Sequence, residues 1–416
     1  MNLQKRTAAF ARVTALAALR PVHAAFQWLH QNPKTMMDWQ AEVTSIPAPP
    51  FGEQARSIWM AERFAEASLE RIETDAVGNV YGWLPAPALP PESTGPVVVL
   101  SAHLDTVFPA STPLKPQLEG DTLRAPGVCD NGAGVIGILA IAHALKQSGI
   151  ALAAPLIFMG NVGEEGEGDL RGVRYLYQSH PLAGRIAAHV ILDGAGTDTA
   201  VTRALGSRRF QVTIQGPGGH SFTDAGNPNP IATLSSALAH FADTPLPADP
   251  VTTINLGTIR GGTSVNAIPE SVQASVDMRS TSPDQLLRLE VALFRAVENA
   301  VGQTNQKAMA IKRKPLTFQI ARIGDRPAAF LPEGSPLLAA LLAVDRHLGL
   351  RSEQRLGSTD ANIPLSLGIP ALSMGAGGEG GGAHTVSEWY SDRDRETGLK
   401  RVLLLTLSMV EWAAEL

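Results

Sequence analysis

The chain has 416 residues, of which 44% are hydrophobic and 18% charged, a composition typical of globular proteins. This length favours more than one domain. The formal net charge of −5 and the lack of runs of Lys and Arg argue against a surface that binds nucleic acid. The single cysteine, Cys129, excludes an intrachain disulfide and a thiolate metal cluster, and no apolar stretch approaches the length of a membrane span.

The first 30 residues carry a pattern that weakly resembles a signal peptide. Lys5 and Arg6 precede the apolar run TAAFARVTALAAL. Arg12 and Arg20 interrupt this run, no small-residue cleavage site follows it, and its apolar spacing is typical of an amphipathic helix. We therefore expect a cytoplasmic location, with export as the alternative.

Helix-like and strand-like segments alternate over the first 200 residues. Helices are predicted at 35–45, 53–68, 132–149 and 171–179, and strands at 79–84, 96–102, 155–162 and 187–193. A short strand at 370–376 and a closing helix at 395–413 follow late in the chain. This alternation predicts an α/β fold, with a mainly parallel sheet covered by helices on both faces.

The pattern changes between about residues 206 and 323. Strands are predicted there at 208–216, 252–261, 271–280 and 308–320, and helices at 230–241 and 283–301. The order βαββαβ is that of an α+β, ferredoxin-like domain, a four-stranded sheet with two helices on one face. We therefore predict an inserted domain at 206–323 within a discontinuous domain of residues 1–205 and 324–416. The sheet edges of such an insertion could pair with a second copy of the chain.

Side chains that bind metals follow the predicted strands of the larger domain. In chain order, the candidates are His103, Asp105, Asp130, Glu164, Glu165, Asp193 and His384. The carboxyl ends of parallel strands meet at one edge of an open α/β sheet, so these residues are expected to converge there. Asp130 lies at the predicted N-terminus of the helix 132–149, where the helix dipole favours a negative charge.

The charges of this set suit two divalent metal ions. Two such ions carry four positive charges, and the carboxylates of Asp130, Glu165 and Asp193 supply three negative charges. A bridging hydroxide would supply the fourth. Glu164 is then an additional carboxylate that the charge balance does not require. Imidazole and carboxylate oxygen are ligands that Zn²⁺ accepts. Two metal ions roughly 3.5–4 Å apart lower the pKa of bound water from 15.7 toward about 7, which suits hydrolysis of an amide bond.

Each candidate also has a structural interpretation. A histidine after a strand is most often a hydrogen-bonded surface residue, adjacent glutamates commonly lie in a solvated turn, and Asp before Asn-Gly or Gly is commonly a cap or turn residue. The structural interpretation has to explain every one of these residues at strand ends, so the metal site is favoured. Asp105 is expected to accept the second ring N–H of His103 and fix its tautomer. Cys129 is interpreted as a small packed residue in a tight turn rather than a nucleophile.

The motifs HLDTV, DNGAG, GEEGEGD and GGAH resemble, in this order, those of the di-zinc exopeptidases and amidohydrolases that include peptidase T, carboxypeptidase G, aminoacylase-1 and acetylornithine deacetylase. The resemblance extends over essentially the whole chain, and the insertion at 206–323 corresponds to the lid and dimerisation domain of that family. It implies a zinc-exopeptidase-like catalytic domain, two Zn²⁺ ions with Co²⁺ or Mn²⁺ as alternatives, and a homodimer formed through the lid.

The resemblance also implies a role for each site residue. His103 and Asp193 would hold one ion, Glu165 and His384 the other, Asp130 would bridge both, Glu164 would be the general base, and Asp105 would orient His103. His220 in GPGGHSF would help to stabilise the tetrahedral oxyanion in the partner's active site. Asn266, Arg279 and the loop residues Ser358, Thr359 and Asp360 would bind substrate, with Arg279 holding a carboxylate. His220 and Arg279 also have a structural interpretation. His220 is then a residue of a turn, and Arg279 forms an ion pair at the end of a strand.

The residue at position 193 bears on the substrate. Relatives that act as carboxypeptidases or deacylases usually carry Glu there, whereas aminopeptidase-like and dipeptidase members carry Asp. Asp193 and the segment IGDRPAA, which is closer to peptidase T, therefore favour a zinc-dependent exopeptidase that cleaves dipeptides or tripeptides. The alternative is an N-acyl-amino-acid amidohydrolase. A non-catalytic peptide-binding relative is a third hypothesis, disfavoured because neither the base nor any ligand is missing.

Overall fold

The computed structural model describes residues 3–88 and 94–416. Within these ranges the helices are α1 (Leu3–Ala17), α2 (Arg20–Gln31), α3 (Pro33–Thr44), α4 (Gln54–Glu66), α5 (Gly132–Ser148), α6 (Arg171–Gln178), α7 (Pro230–Ala242), α8 (Pro283–Ala310), α9 (Pro336–Leu348), α10 (Asn362–Ser366) and α11 (Arg395–Ala413). The strands are β1 (Glu70–Thr74), β2 (Val80–Leu84), β3 (Val97–His103), β4 (Gln117–Glu119), β5 (Thr122–Arg124), β6 (Leu156–Asn161), β7 (Ile186–Leu192), β8 (Thr199–Ala204), β9 (Gly206–Gln215), β10 (Gly219–His220), β11 (Thr252–Gly261), β12 (Ala267–Ile268), β13 (Ser271–Ser280), β14 (Thr317–Arg326), β15 (Ala329–Phe330), β16 (Glu353–Gly357), β17 (Ala371–Met374), β18 (Glu379–Gly381) and β19 (Trp389–Ser391).

The chain forms two compact units. Unit 1 comprises Met1–Ala204 and Phe330–Leu416, and unit 2 comprises Leu205–Ala329. Unit 2 therefore begins one residue before the predicted insertion at 206–323 and ends six residues after it. Among the described residues, no helix has both the length and the apolar character needed to cross a membrane.

The centre of unit 1 is a sheet whose four middle strands run parallel in the order β6-β3-β7-β17. The antiparallel strands β2 and β8 flank them. All residues of β3 and β6 are buried, as expected for strands covered on both faces. The helix α6 packs on the face that carries Val97 and Val99, and α5 and α11 also contact β3. The predicted α/β fold with a mainly parallel sheet is confirmed.

The glycine-rich start of α5 lies directly against the carboxyl edge of this sheet. Asn131 is the N-cap, and its side-chain oxygen accepts a hydrogen bond from the N–H of Gly134 at 3.0 Å. A Cβ atom at Gly134 would come within 2.7 Å of the carbonyl oxygen of Leu192, the last residue of β7. Glycine at this position therefore permits the helix to begin beside the strand ends.

A histidine in the interior joins three elements of unit 1. His189 on β7 is fully buried, with its Nδ1 atom 3.0 Å from the hydroxyl of Tyr177 on α6 and its Nε2 atom 2.8 Å from Oγ of Ser101 on β3. Burial lowers the pKa of His189 to about 3. The ring is therefore neutral at physiological pH and serves the packing of the sheet.

A second, small sheet of unit 1 has the order β18-β19-β5-β4, with antiparallel pairs throughout. It joins the hairpin of β4 and β5, which precedes Asp130, to the two strands that flank His384. The sequence analysis did not predict these strands of three residues.

Unit 2 has the predicted element order βαββαβ, formed by β9, α7, β11, β13, α8 and β14. Its antiparallel sheet has the order β11-β13-β9-β14. Alternate residues of β9, Phe210, Val212 and Ile214, share one core with Leu234 of α7 and Leu293 of α8, so both helices cover the same face.

The last strand of unit 2 differs from its prediction. It was expected at 308–320 but begins at Thr317, because α8 continues to Ala310. The residues that extend α8 include Gln303, Gln306, Lys307 and Ala308, all of which favour helix. Pro315 then separates the helix from the strand.

Candidate metal centre

The carboxyl ends of the four parallel strands bring the predicted ligands together. His103 is the last residue of β3, Asp193 follows β7 directly, and Glu165 lies four residues after the end of β6. His384 lies in the loop between β18 and β19, which follows β17. Because neighbouring parallel strands end at the same edge of a sheet, residues separated by up to 281 positions meet in one pocket.

The predicted ligands form two groups that share Asp130. A third group consists of His103, Glu164 and Glu165. In the first group, Nε2 of His103 lies 3.2 Å from Oδ1 of Asp130 and 3.7 Å from Oδ1 of Asp193. In the second, Nε2 of His384 lies 3.0 Å from Oδ2 of Asp130 and 3.2 Å from Oε1 of Glu165. One ligand atom from each residue of a group lies within 4.8 Å of the others. Asp130 thus presents a different oxygen to each imidazole, as a bridging carboxylate does.

The pKa values reflect the close approach of these charges. Burial acts to raise the pKa of Asp130, but the imidazoles of His103 and His384 outweigh it and hold the pKa well below its usual range. The hydrogen bond with Asp130 is the main cause that raises the pKa of His384 to about 9. Burial raises the pKa of Glu165 to about 7. The pocket therefore stabilises positive charge.

The donor set suits a pair of divalent cations. It consists of imidazole nitrogen and carboxylate oxygen, which Zn²⁺, Mn²⁺ and Co²⁺ accept. Oδ1 of Asp130 is buried and accepts no hydrogen bond of ordinary geometry from the described residues. A buried carboxylate oxygen of this kind is costly unless it is paired with a cation. The residues of both groups therefore fit the implied metal ions.

Asp105 holds the turn that carries the paired glutamates. Its carboxylate is fully buried and accepts hydrogen bonds from the N–H of Glu164 at 3.0 Å and the N–H of Glu165 at 2.7 Å. Nδ1 of His103 lies 3.1 Å from the carbonyl oxygen of Asp105 and 3.6 Å from its Oδ1. The carboxylate was expected mainly to orient His103, whereas its shortest contacts fix the backbone of the next ligand segment.

Two side chains that were not predicted from the sequence support the centre. Besides capping α5, Asn131 donates to the carbonyl of Leu192 at 2.9 Å and accepts from the N–H of Gly194 at 3.1 Å, so it joins the Asp130 loop to the end of β7. A cap or turn role was considered only for Asp130, as the structural alternative to metal binding. The second is Glu388, the only acidic residue of the late segment GGAHTVSEW, which accepts hydrogen bonds from the backbone beside Asp130.

The predicted loop 358–360 is mostly buried. Ser358 is half-buried, whereas Thr359 and Asp360 are buried. Oδ2 of Asp360 accepts a hydrogen bond from Asn161 at the end of β6, at 2.7 Å, and its Oδ1 atom accepts none from the described residues. Burial raises the pKa of Asp360 to about 7.

The remaining predicted residues belong to unit 2. His220 and Asn266 are neighbours, since the N–H of Ser221 donates to the carbonyl of Asn266 at 2.9 Å and β10 pairs with β12. Arg279 lies near the opposite end of β13, where its Nε donates to Asp277 at 2.7 Å. The structure therefore brings two of the three residues together.

Comparison with known proteins identifies the family. The model of peptidase family M20/M25/M40 matches residues 99–408, and the chain therefore belongs to this family. The resemblance to the di-zinc exopeptidases, inferred from the motifs, is confirmed.

Individual relatives are more distant. A probable carboxypeptidase from Neosartorya fischeri is 26% identical over 301 residues, which cover 65% of this chain and 67% of that protein. For a probable carboxypeptidase from Talaromyces marneffei, at 29% identity, the match covers 53% of this chain and 52% of that protein. The matched stretch thus spans between about half and two thirds of the length of these curated relatives.

Solved structures share the fold over almost the whole chain. The aminopeptidase PepT from Bacillus cereus superposes with a TM-score of 0.70 at 19% identity, covering 91% of this chain and 98% of that one. A dinuclear metal-binding peptidase of the M20 family from Bacillus subtilis has a TM-score of 0.63 at 16% identity, with coverages of 92% and 99%. At these identities the likeness shows the fold alone.

Proposed function

We propose that this member of peptidase family M20/M25/M40 is a two-metal exopeptidase that hydrolyses dipeptides or tripeptides. The observation that carries this proposal is the position of Asp130 between His103 and His384, with a separate oxygen 3.2 and 3.0 Å from each ring. Each imidazole also has its own second carboxylate, Asp193 or Glu165. This arrangement offers two cation sites with one shared ligand.

Two Zn²⁺ ions would supply the hydrolytic power of the centre, since paired metal ions polarise a carbonyl and lower the pKa of water to about 7. His103 and Asp193 would hold one ion, Glu165 and His384 the other, and Asp130 both. The two ions carry four positive charges, against which the three carboxylates supply three negative ones. Co²⁺ and Mn²⁺ accept the same ligands.

Glu164 would act as the general base. It is 6% exposed, and its backbone N–H is held by Asp105, which also holds Glu165. One carboxylate oxygen of Glu164 lies within 4.8 Å of a ligand atom of His103 and of Glu165. A carboxylate at this position could take a proton from the attacking water and deliver it to the leaving amine. This shuttle completes the hydrolysis without a covalent intermediate.

His220 would stabilise the oxyanion. Its Nδ1 atom accepts hydrogen bonds from the N–H of Phe222 at 3.2 Å and the N–H of Thr223 at 3.4 Å. A neutral ring that accepts at Nδ1 carries its hydrogen on Nε2, so the exposed end of His220 is a donor. Donors aimed at the developing oxyanion lower the barrier of acyl transfer.

A homodimer would explain how residues from both ends of unit 2 serve one substrate. Arg279 lies eight residues beyond Ser271 along β13, roughly 26 Å away, whereas His220 and Asn266 lie near the Ser271 end. An extended tripeptide spans only roughly 10 Å. One chain would supply Arg279 to a given site, and the other chain His220 and Asn266. The edge strand β11, with exposed Leu256 and Ile259, is a candidate dimer surface.

The enzyme could recognise either the N-terminus or the C-terminus of its peptide substrate. Asp193 favours a free N-terminus, whereas the curated relatives named above are described as probable carboxypeptidases. A dipeptide has a free N-terminus and a free C-terminus next to the same peptide bond, so it suits both an aminopeptidase and a carboxypeptidase. An N-acyl-amino-acid amidohydrolase would use the same centre on an acyl group. The loop residues Ser358, Thr359 and Asp360 remain predicted substrate contacts, and the cytoplasmic location also remains a prediction from the sequence.

Metal analysis combined with a substrate panel tests the proposal. The purified protein is expected to contain two divalent ions per chain and to cleave free dipeptides and tripeptides. The panel would include the same peptides with an acetylated N-terminus, the same peptides with an amidated C-terminus, and N-acetyl and N-succinyl amino acids. Turnover of the acylated amino acids alone would reject the exopeptidase, and absence of bound metal would reject the two-metal centre.

The variant Glu164→Ala isolates the base. Turnover should fall by about 10²- to 10⁴-fold, the usual contribution of a positioned proton carrier, while both metal ions remain bound. Glu167→Ala is the matched control, because Glu167 lies in the same turn but is exposed. Equal activity in the two variants would reject Glu164 as the base.

A further inference from the structure

Glu388 is a buried carboxylate that contacts the loop of the shared ligand. It is 0% exposed. Its Oε1 atom accepts hydrogen bonds from the N–H of Cys129 and the N–H of Asp130, both at 2.7 Å, and its Oε2 atom accepts one from the N–H of Gly127 at 2.9 Å. One side chain therefore satisfies three backbone donors in the four residues that end at Asp130.

The backbone of Glu388 reinforces this contact. Its carbonyl oxygen accepts a hydrogen bond from the N–H of Ala125 at 3.1 Å. The next residues, Trp389 and Tyr390, pair with Arg124 and Leu123 in the small sheet. Glu388 thus stands where the late segment of the chain joins the segment that leads to Asp130.

The late segment carries the predicted metal ligand His384, which lies four residues before Glu388. Two turns connect them: the N–H of Thr385 donates to the carbonyl of Gly382 at 3.0 Å, and the N–H of Glu388 donates to the carbonyl of Thr385 at 3.2 Å. His384 itself has a φ angle of 64°, in the left-handed region that residues with a side chain adopt only when their surroundings impose it. The position of its ring therefore depends on how the loop is anchored.

We propose that Glu388 is a positioning residue that fixes the distance between His384 and Asp130, and thereby the geometry of the second metal group. This inference rests on the proposed two-metal function. Asp105 joins the His103 segment to the Glu164–Glu165 turn through two backbone N–H groups, and Glu388 joins the His384 segment to the Asp130 loop through three. Each buried carboxylate thus connects two segments that carry ligands, without itself being a ligand of either group.

The chemistry of this contact requires a carboxylate of this length. Three N–H donors approach the two oxygens, so both oxygens must accept. In Glu388→Gln one oxygen becomes an NH₂ group, which would face a backbone donor and leave it without a partner. Glu388→Asp keeps both acceptors but is one methylene shorter, so it tests reach rather than charge.

The experiment measures the affinity of the folded protein for Zn²⁺, by competition with a chromophoric chelator. Loss of a partner that orients a ligand typically costs 10- to 100-fold in metal affinity. We expect Glu388→Gln to weaken the binding of the ion at the His384 group by about that factor, and Glu388→Asp to weaken it less. Asp345→Asn is the control, because Asp345 is also a buried carboxylate with good partners, here the guanidinium of Arg401, and none of its described contacts involves a ligand segment.

The outcomes separate this inference from the function on which it rests. Two tightly bound ions in Glu388→Gln, with wild-type affinity, would overturn the positioning role while leaving the two-metal function intact. The same loss of affinity in Asp345→Asn would also overturn it, because the effect would then be general destabilisation. Wild-type protein that binds no metal would reject the proposed function itself. Should Glu388→Gln fail to fold, Glu388→Asp carries the same comparison, and wild-type affinity in that variant would count against the proposal.

Discussion

The two groups of the metal centre are positioned by different means. We call the group of His103 the sheet half and the group of His384 the loop half. His103 ends a strand of seven buried residues, hydrogen-bonded to neighbours on both sides, and its side chain is 1% exposed. His384 lies on a loop with a left-handed backbone, and its side chain is 55% exposed. The sheet places the first imidazole as part of folding, whereas the second depends on local turns and on Glu388.

This difference predicts how each half responds to change. His103 is also a packed residue of the fold, so its loss should affect stability as well as metal binding. The side chain of His384 is largely exposed and has few packing contacts to lose, so its removal should affect metal binding alone. Asp130 belongs to both halves.

Asp130→Ala should have the largest effect, because it removes the shared ligand. We expect loss of both metal ions and a fall in peptide hydrolysis of more than about 100-fold, since loss of an outer partner alone costs 10- to 100-fold. Metal content by mass spectrometry and initial rates would measure this. Asp198→Ala, at an exposed position of unit 1, is the control. Retention of one tightly bound ion would show that the two groups do not share Asp130.

His103→Ala and His384→Ala compare the halves directly. Removal of His103 leaves buried carboxylates without their imidazole partner, which should lower the free energy of unfolding of the metal-free protein by about 1–3 kcal/mol. Removal of the exposed His384 should change it by less than about 0.5 kcal/mol. Each variant should weaken the binding of one ion. Urea unfolding in the presence of a chelator measures the difference, and equal destabilisation would contradict the contrast.

Asn131→Ala tests how the helix α5 is joined to the sheet half. Loss of an N-cap typically costs about 1 kcal/mol, and Asn131 also bonds Leu192 and Gly194, so we expect about 2 kcal/mol. Asn229→Ala is the matched control in unit 2, because Asn229 caps α7 through the N–H of Ala232 without such further bonds among the described contacts. Similar losses in the two variants would show that the contacts of Asn131 with the end of β7 add nothing.

The features predicted well from sequence are those whose signal is local. The apolar run that precedes His103 predicts a buried strand, the small and aliphatic residues from Gly132 to Gly149 predict a helix, and both elements are present at nearly those bounds. Family motifs then identified ligands that the structure places together. In unit 2, the order of elements follows from periodicity, whereas the end of α8 was placed too early, because the helix continues to Ala310 through residues that favour helix.

The features missed are those that depend on contacts between distant segments. The hydrogen bond between Glu388 and the N–H of Asp130 joins residues 258 positions apart. The three-residue strands β5 and β19 pair with each other across more than 260 residues of sequence. The contact of the Asp105 carboxylate with the backbone of Glu164 and Glu165 was not predicted, and it arises because the end of β6 lies beside the end of β3. No local pattern encodes such pairings.

The bridge from Tyr177 through His189 to Ser101 makes the folded chain sensitive to acid. The folded state holds the pKa of His189 at about 3, whereas a free histidine titrates near 6.5. Between these two pH values the unfolded chain binds one more proton than the folded chain, so the free energy of unfolding decreases as the pH falls through this window. Acidification thus favours an opened interior in which the imidazolium is hydrated, whether or not a metal ion occupies the pocket above.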